Sequence, residues 1–157
     1  MKNIFSALFF VLISETAGII GSVFTFSAIS TWYVVLNKPF FSPPNYLFGP
    51  VWTTLYFLMG IAAFLVYKKG TRNKKVRSAL SLFGIQLVLN TLWSIIFFGL
   101  KLPAVAFVEI ILLWIFIFLT MQAFAKVSKS ATWLLVPYIL WVSFAAILNL
   151  AIVILNR

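Results

Sequence analysis

The chain has 157 residues, of which 64% are apolar and 9% charged, with a mean hydropathy of +1.13 and a net charge of +10. Soluble domains hold about 45–50% apolar and about 25% charged residues. Lipid is therefore the solvent for most of this chain, and five or six spans of about 20 residues leave no room for a separate soluble domain. His, Cys and Asp are absent, and the two acids are Glu15 and Glu109. This excludes a Ser-His-Asp triad, a thiol nucleophile, a zinc site and a His-ligated haem within one chain, and it argues against a carboxylate-held metal.

Five apolar stretches stand out, at about 4–28, 48–67, 79–98, 103–124 and 131–155. They lack the strict alternation of barrel strands, so they predict spanning helices: an all-α, integral membrane bundle of five transmembrane helices forming a single domain over residues 1–157. The first stretch has no small-residue cleavage site after its apolar run and reads as a retained helix. It carries Glu15 near its middle, where an acid is expected to be hydrogen-bonded between helices. It also carries Ser14, Gly18 and Ser22 at intervals of four, a stripe that permits close helix contact within a subunit or across a dimer.

Residues of about 29–47 form a connection rich in aromatic residues and proline. Pro39, Pro43 and Pro44 stiffen it, and Trp32, Tyr33, Phe40 and Phe41 make it apolar. Such a segment is expected to fold over the bundle mouth as a lid, or to anchor at headgroup depth. The segment 68–78 carries six basic residues. With Lys2, Lys126 and Lys129 that side of the membrane has nine, against three on the other (Lys38, Lys101 and Arg157). The positive-inside rule predicts a cytoplasmic N-terminus. The basic residues read as a topology signal, and nucleic acid is not an expected partner.

Polar residues in a span face the bundle interior because amides in hydrocarbon need partners. Trp52 and Tyr56 share one face of the second span. Gln86, Asn90, Trp93, Ser94 and Phe97 form a stripe on the third, and Tyr138, Trp141, Ala145, Leu148 and Asn149 form one on the fifth. Three helices presenting aromatic stripes with sparse hydrogen-bonding groups suit a cavity for a flat hydrophobic ligand. Glu109, six residues after Pro103, is expected near a membrane interface.

The order of these features resembles the tryptophan-rich sensory protein or translocator protein family (TspO/MBR, also called the peripheral benzodiazepine receptor family). The matching pieces are Trp32-Tyr33, Lys38-Pro39 and Ser42-Pro43-Pro44 in the first loop, and Pro50-Val51-Trp52 with Leu55-Tyr56 at the second helix. Asn90, Trp93-Ser94 and Phe97-Phe98 follow, and then Trp133 to Tyr138 with Trp141, Phe144-Ala145 and Leu148-Asn149. The resemblance covers about residues 10–156. It implies a five-helix bundle, often dimeric, with a cavity under the first loop, and ligands such as protoporphyrin IX, sterols and synthetic isoquinoline carboxamides.

By matching position, it implies ligand-binding roles for Tyr33, Pro43, Trp52, Tyr56, Asn90, Trp93, Trp141 and Ala145. Trp52 and Trp141 match the pair linked in the family to light-dependent porphyrin breakdown. Two departures stand out: Phe41 occupies a position that is often Trp, and Leu150 stands where the family's cholesterol motif has Tyr.

These readings converge on a membrane ligand-binding protein for porphyrin, acting in sensing, regulation or transport, with no resident cofactor. A homodimer in a bacterial inner membrane fits. The alternatives are an enzyme, in which Trp52 and Trp141 take part in photo-oxidation of bound porphyrin without an acid–base pair, and a transporter or scaffold without small-molecule chemistry.

Overall fold

A computed structural model of the chain describes residues 2–157; Met1 lies outside the described residues. The described residues form helices and turns, with no strand. Helix α1 spans Lys2–Ile29, α2 Phe48–Tyr67, α3 Lys74–Ser94, α4 Pro103–Ala125, α5 Lys129–Leu134 and α6 Val136–Leu155. Five segments are long and apolar enough to cross a membrane: Asn3–Ile29, Asn45–Tyr67, Lys74–Gly99, Pro103–Ala125 and Lys129–Leu155. The protein is an all-helical, five-span membrane bundle.

Local chemistry sets the helix ends. Asn73 caps α3, its side-chain oxygen accepting from the Lys75 backbone N–H at 2.9 Å. α3 thus begins inside the basic segment, so Lys74, Lys75 and Arg77 lie on its first turns. Ser128 caps α5 by accepting from the Ala131 N–H. Pro103 opens α4, where its missing N–H costs nothing. Gly70, at φ +99°, turns the chain between α2 and α3 through a conformation that residues with a Cβ adopt at a cost.

The fifth apolar stretch is not one helix. It breaks at Leu135, two residues before Pro137, which cannot donate into a continuous helical ladder.

α3 packs along α4, α1 along α2, and α4 along α6. The buried core runs through Met59, Ala62, Ala63 and Val66 of α2, Phe83 and Leu87 of α3, Ile110, Leu113 and Ile117 of α4, and Val142 and Ile152 of α6. Small residues set the closest approach. A Cβ on Gly60 would sit 2.5 Å from the Val11 Cα, so α1 and α2 touch backbone to backbone there. The outer surfaces of the spans are apolar, with Phe5, Phe9, Leu12, Val88, Val108 and Ile147 exposed, as a lipid-facing surface requires.

After Ser94 the third span continues as a π-helical turn over Ile95–Gly99, closed by the Leu100 N–H donating to the Ile95 carbonyl at 2.8 Å. An α-helix separates neighbouring side chains by about 100°. The wider turn instead lets Phe97 and Phe98 both point inward, and both are buried.

Candidate functional site

The connection between α1 and α2 lies over one end of the bundle. Tyr33, in a helical turn over Tyr33–Val35, is its buried plug at 1% exposure. Its ring meets Phe48 edge-on at 6.1 Å and tilts against Phe98 at 5.7 Å and Phe97 at 6.3 Å. Its hydroxyl lies 3.4 Å from the Ser42 Oγ. Burial raises the Tyr33 hydroxyl pKa above its usual 10.0, and the Ser42 contact offsets part of that rise.

The Lys38 ammonium sits 5.0 Å from the Tyr33 ring centre and donates to the backbone oxygens of Tyr33 at 2.9 Å and Leu36 at 3.1 Å. A two-way clasp ties this segment to the chain end: the Asn37 N–H donates to the Asn156 Oδ1 at 3.0 Å, and the Asn156 amide donates to the Asn37 carbonyl at 2.9 Å. Nothing in the local pattern of the sequence marks Asn37 and Asn156 as partners, because 119 residues separate them.

Below the plug runs a chain of buried polar side chains. The Tyr56 hydroxyl donates to the Asn90 Oδ1. The Asn90 Nδ2 donates to the Tyr138 hydroxyl at 2.6 Å, which in turn donates to the Gln86 Oε1 at 2.7 Å. The Gln86 Nε2 meets the Met59 sulfur at 3.8 Å. One asparagine thus joins α2, α3 and α6, and each amide finds the partner that hydrocarbon burial demands. A second link runs from the Trp93 Nε1 to the Asn149 Oδ1 at 3.1 Å, and from the Asn149 Nδ2 to the Pro103 carbonyl at 2.8 Å.

Two cavities flank this chain. The central one lies under Tyr33 and is lined by Phe48, Trp52, Trp93, Phe97, Phe98, Trp141, Ala145, Leu148, Asn149 and Ile152 as well. It holds about 20 Å³, room for about one water-sized sphere. The other, of about 200 Å³, is a groove between α1 and α2 whose floor is Phe48, Trp52, Tyr56, Trp93 and Phe98. Phe48, Trp52, Trp93 and Phe98 face both spaces and form the wall between them.

The eight residues singled out in the sequence therefore separate by place. Tyr33, Trp52, Trp93, Trp141 and Ala145 line the central cavity, and Trp52, Tyr56 and Trp93 line the groove. Asn90 lies beneath, with both ends of its amide bonded to tyrosines. Pro43 lies in the covering segment next to Ser42 and lines neither space.

Three features escaped the sequence reading. The groove is one; its α1 wall is mostly small, hydroxyl and aliphatic residues, with Phe26 its one aromatic, and it exists partly because Gly18 leaves room for the Tyr56 ring, which a Cβ there would meet at 2.5 Å. Glu15, expected to bond between helices, instead lines this groove, partly exposed and without a hydrogen bond among the described residues. Glu109, expected near an interface, is buried between helices, and neither of its oxygens has a partner. The Trp141 Nε1 is likewise buried and unpaired.

Comparison with known proteins gives these features a context. The model of the TspO/MBR family matches residues 10–155. The Tryptophan-rich protein TspO of Chlorobaculum tepidum is 51% identical over 139 residues, covering 88% of each chain. The Tryptophan-rich protein TspO of Archaeoglobus fulgidus is 46% identical over 155 residues, covering 98% of this chain and 99% of its own. The Translocator protein of Homo sapiens is 38% identical over 144 residues, covering 91% of this chain and 85% of its own. On the family match and these identities together, the chain belongs to the TspO/MBR family.

Proposed function

We propose that this integral membrane protein, as a single membrane domain, binds a metal-free porphyrin such as protoporphyrin IX and acts in sensing, regulation or transport. The observation that carries the reading is the four-residue aromatic wall of Phe48, Trp52, Trp93 and Phe98 between two cavities, beneath a segment plugged by Tyr33. Flat conjugated rings bind well where aromatic faces and edges surround them. The chain has no His or Cys to ligate an iron, which favours the free ring over haem.

Ligand pockets usually run to about 300–1,000 Å³, and the central cavity is far smaller. Binding on this reading requires the wall side chains to rotate, merging the cavity with the groove, or the Tyr33 plug to lift. In that arrangement Trp52, Trp93 and Trp141 would edge the ring. Tyr56 and Asn90 would hold the floor, Ala145 would leave space, and Tyr33 and Pro43 would belong to the cover.

The word "translocator" in the human relative's name fits the transport form of the reading. A cytoplasmic N-terminus in a bacterial inner membrane agrees with the charge count. The small-residue stripe of α1 is taken up within the subunit, with Ser14 buried and Gly18 against Tyr56, so a homodimer would use the exposed apolar face of α1, which is weakly covered.

A second reading is light-dependent porphyrin breakdown. It is favoured by one observation, that Trp52 and Trp141 line the same small cavity.

The test is a dark titration of protoporphyrin IX into the purified protein, followed by illumination in air. Replacing both Trp52 and Trp141 by Ala is expected to weaken binding by about tenfold or more, as loss of two aromatic anchors should. Unchanged affinity would remove these residues from the site. Loss of the porphyrin absorption band over several turnovers, dependent on the two tryptophans, would favour the enzyme. A stable band would favour the binder.

A further inference from the structure

We propose that the groove between α1 and α2 is a binding site in its own right, which takes lipophilic cations: flat aromatic bodies carrying an amine or ammonium group, held at Glu15. The inference goes beyond the porphyrin reading and does not depend on it.

The first observation is position. Glu15 stands midway along the 28-residue α1, at the depth where an unpaired acid is most costly, and intramembrane acids there usually have a partner. Among the described residues it has neither hydrogen bond nor ion pair, and its side chain lines the groove.

The second observation is the direction of the hydrogen bonds further along the same α1 wall, about two to three helical turns from Glu15. The Ser22 hydroxyl donates to the Ile19 carbonyl at 2.7 Å, and the Thr25 hydroxyl donates to the Gly21 carbonyl at 3.1 Å. Both protons are committed to the helix, so these hydroxyls offer the groove lone pairs. Together with the carboxylate they make this wall an acceptor surface, which fits N–H donors and repels anions.

The third observation is charge. In a chain of net charge +10, the lining of this groove contains no Lys or Arg, and its one charged side chain is an acid. The opposite wall presents Trp52 and Trp93, whose ring faces attract cations. An acid on one wall and indoles on the other, about 200 Å³ of space and an opening toward lipid together describe a site for a hydrophobic cation.

The experiment uses the full chain in lipid nanodiscs, with rhodamine 6G as the flat cation with N–H donors and Nile red as a neutral flat dye. Wild-type protein is expected to bind rhodamine 6G saturably. Glu15→Gln keeps the shape and removes the charge, and it should weaken that binding by about tenfold, the low end for a partly desolvated ion pair. Nile red affinity should stay within about twofold, because its contacts are apolar.

Ser22→Phe fills the groove without touching Glu15 and should weaken both dyes, so the proposal stays testable if the Gln variant is recovered poorly. Equal rhodamine affinity in wild type and Glu15→Gln, or an unaffected Ser22→Phe variant, would overturn the site. So would the absence of saturable rhodamine binding to wild type. Protoporphyrin IX titrated into the same samples keeps the two readings apart: its failure with rhodamine binding intact would count against the porphyrin site alone.

Discussion

Ser14, Thr16, Ser22, Thr25 and Ser27 of α1 all donate to carbonyls three or four residues back in their own helix. Tyr56, Gln86, Asn90 and Tyr138 instead bond across α2, α3 and α6. The burial of the two regions follows the same division. In the most apolar window of the first span 11% of residues are buried, against 33–39% in the other four spans.

Helix association in lipid has no hydrophobic drive, so packing and cross-helix hydrogen bonds must supply it. The inner helices use both. α1 relies mainly on close packing against α2, at Gly60 and Gly18, and on one bond from the Thr91 hydroxyl to the Ala17 carbonyl at 3.2 Å. The difference teaches that α1 is the separable wall of the bundle, and the groove opens along it.

Substitutions can break this contrast from either side. The largest effect is expected from Gly60→Val. Its branched side chain would drive into the Val11 backbone and part α1 from α2, with a cost of about 3 kcal/mol, at the upper end for overpacking. A large fall in the thermal midpoint in detergent would report it.

Next comes Asn90→Leu. It removes the hub, leaves the Tyr56 hydroxyl without its acceptor, and should cost about 2 kcal/mol. A denaturant titration in mixed micelles measures this directly, and a neutral outcome would mean that the polar chain is not what holds the inner helices.

Glu109→Leu should act in the opposite direction. It replaces two buried oxygens that have no partner with an apolar side chain, and a gain of about 1 kcal/mol is expected in the same assay. The smallest effect should come from Thr16→Val on the exposed side of α1. It removes a bond to the helix's own Leu12 carbonyl and should stay within about 0.5 kcal/mol.

Much of this contrast was legible in the sequence. Asn90, Tyr56 and Tyr138 lie in long apolar spans, and hydrocarbon forces such groups inward, so their facing was legible; that they bond to one another rather than only line a pocket was not. Length allowed five or six spans, and the five apolar stretches set the number the structure shows. What stayed hidden is what depends on long-range geometry. Asn37 and Asn156 clasp two loops that share no local pattern. The π-helical turn at Ile95–Gly99 brings Phe98 inward beside Phe97, which residue spacing already puts on the inward stripe.

Glu15 and Glu109 look alike as lone acids in apolar spans. Only helix packing makes one line a groove and buries the other between α4 and its neighbours. Six of the eight predicted binding residues line two adjoining spaces, and Asn90 and Pro43 line neither, for the same reason: residue spacing says which face a side chain is on, but not how tightly the facing helices close.

The most direct test of the account uses the tryptophans as reporters. Protein labelled with 5-fluorotryptophan would be titrated with protoporphyrin IX in the dark and followed by ¹⁹F NMR. Trp52, Trp93 and Trp141 border the cavities, whereas Trp114 is bonded to Ser143 between α4 and α6, and Trp133 lies on the surface at 72% exposure. The account predicts saturable shifts of the Trp52, Trp93 and Trp141 resonances, with Trp114 and Trp133 unmoved. Shifts confined to Trp114 or Trp133, with the three cavity tryptophans silent, would contradict it.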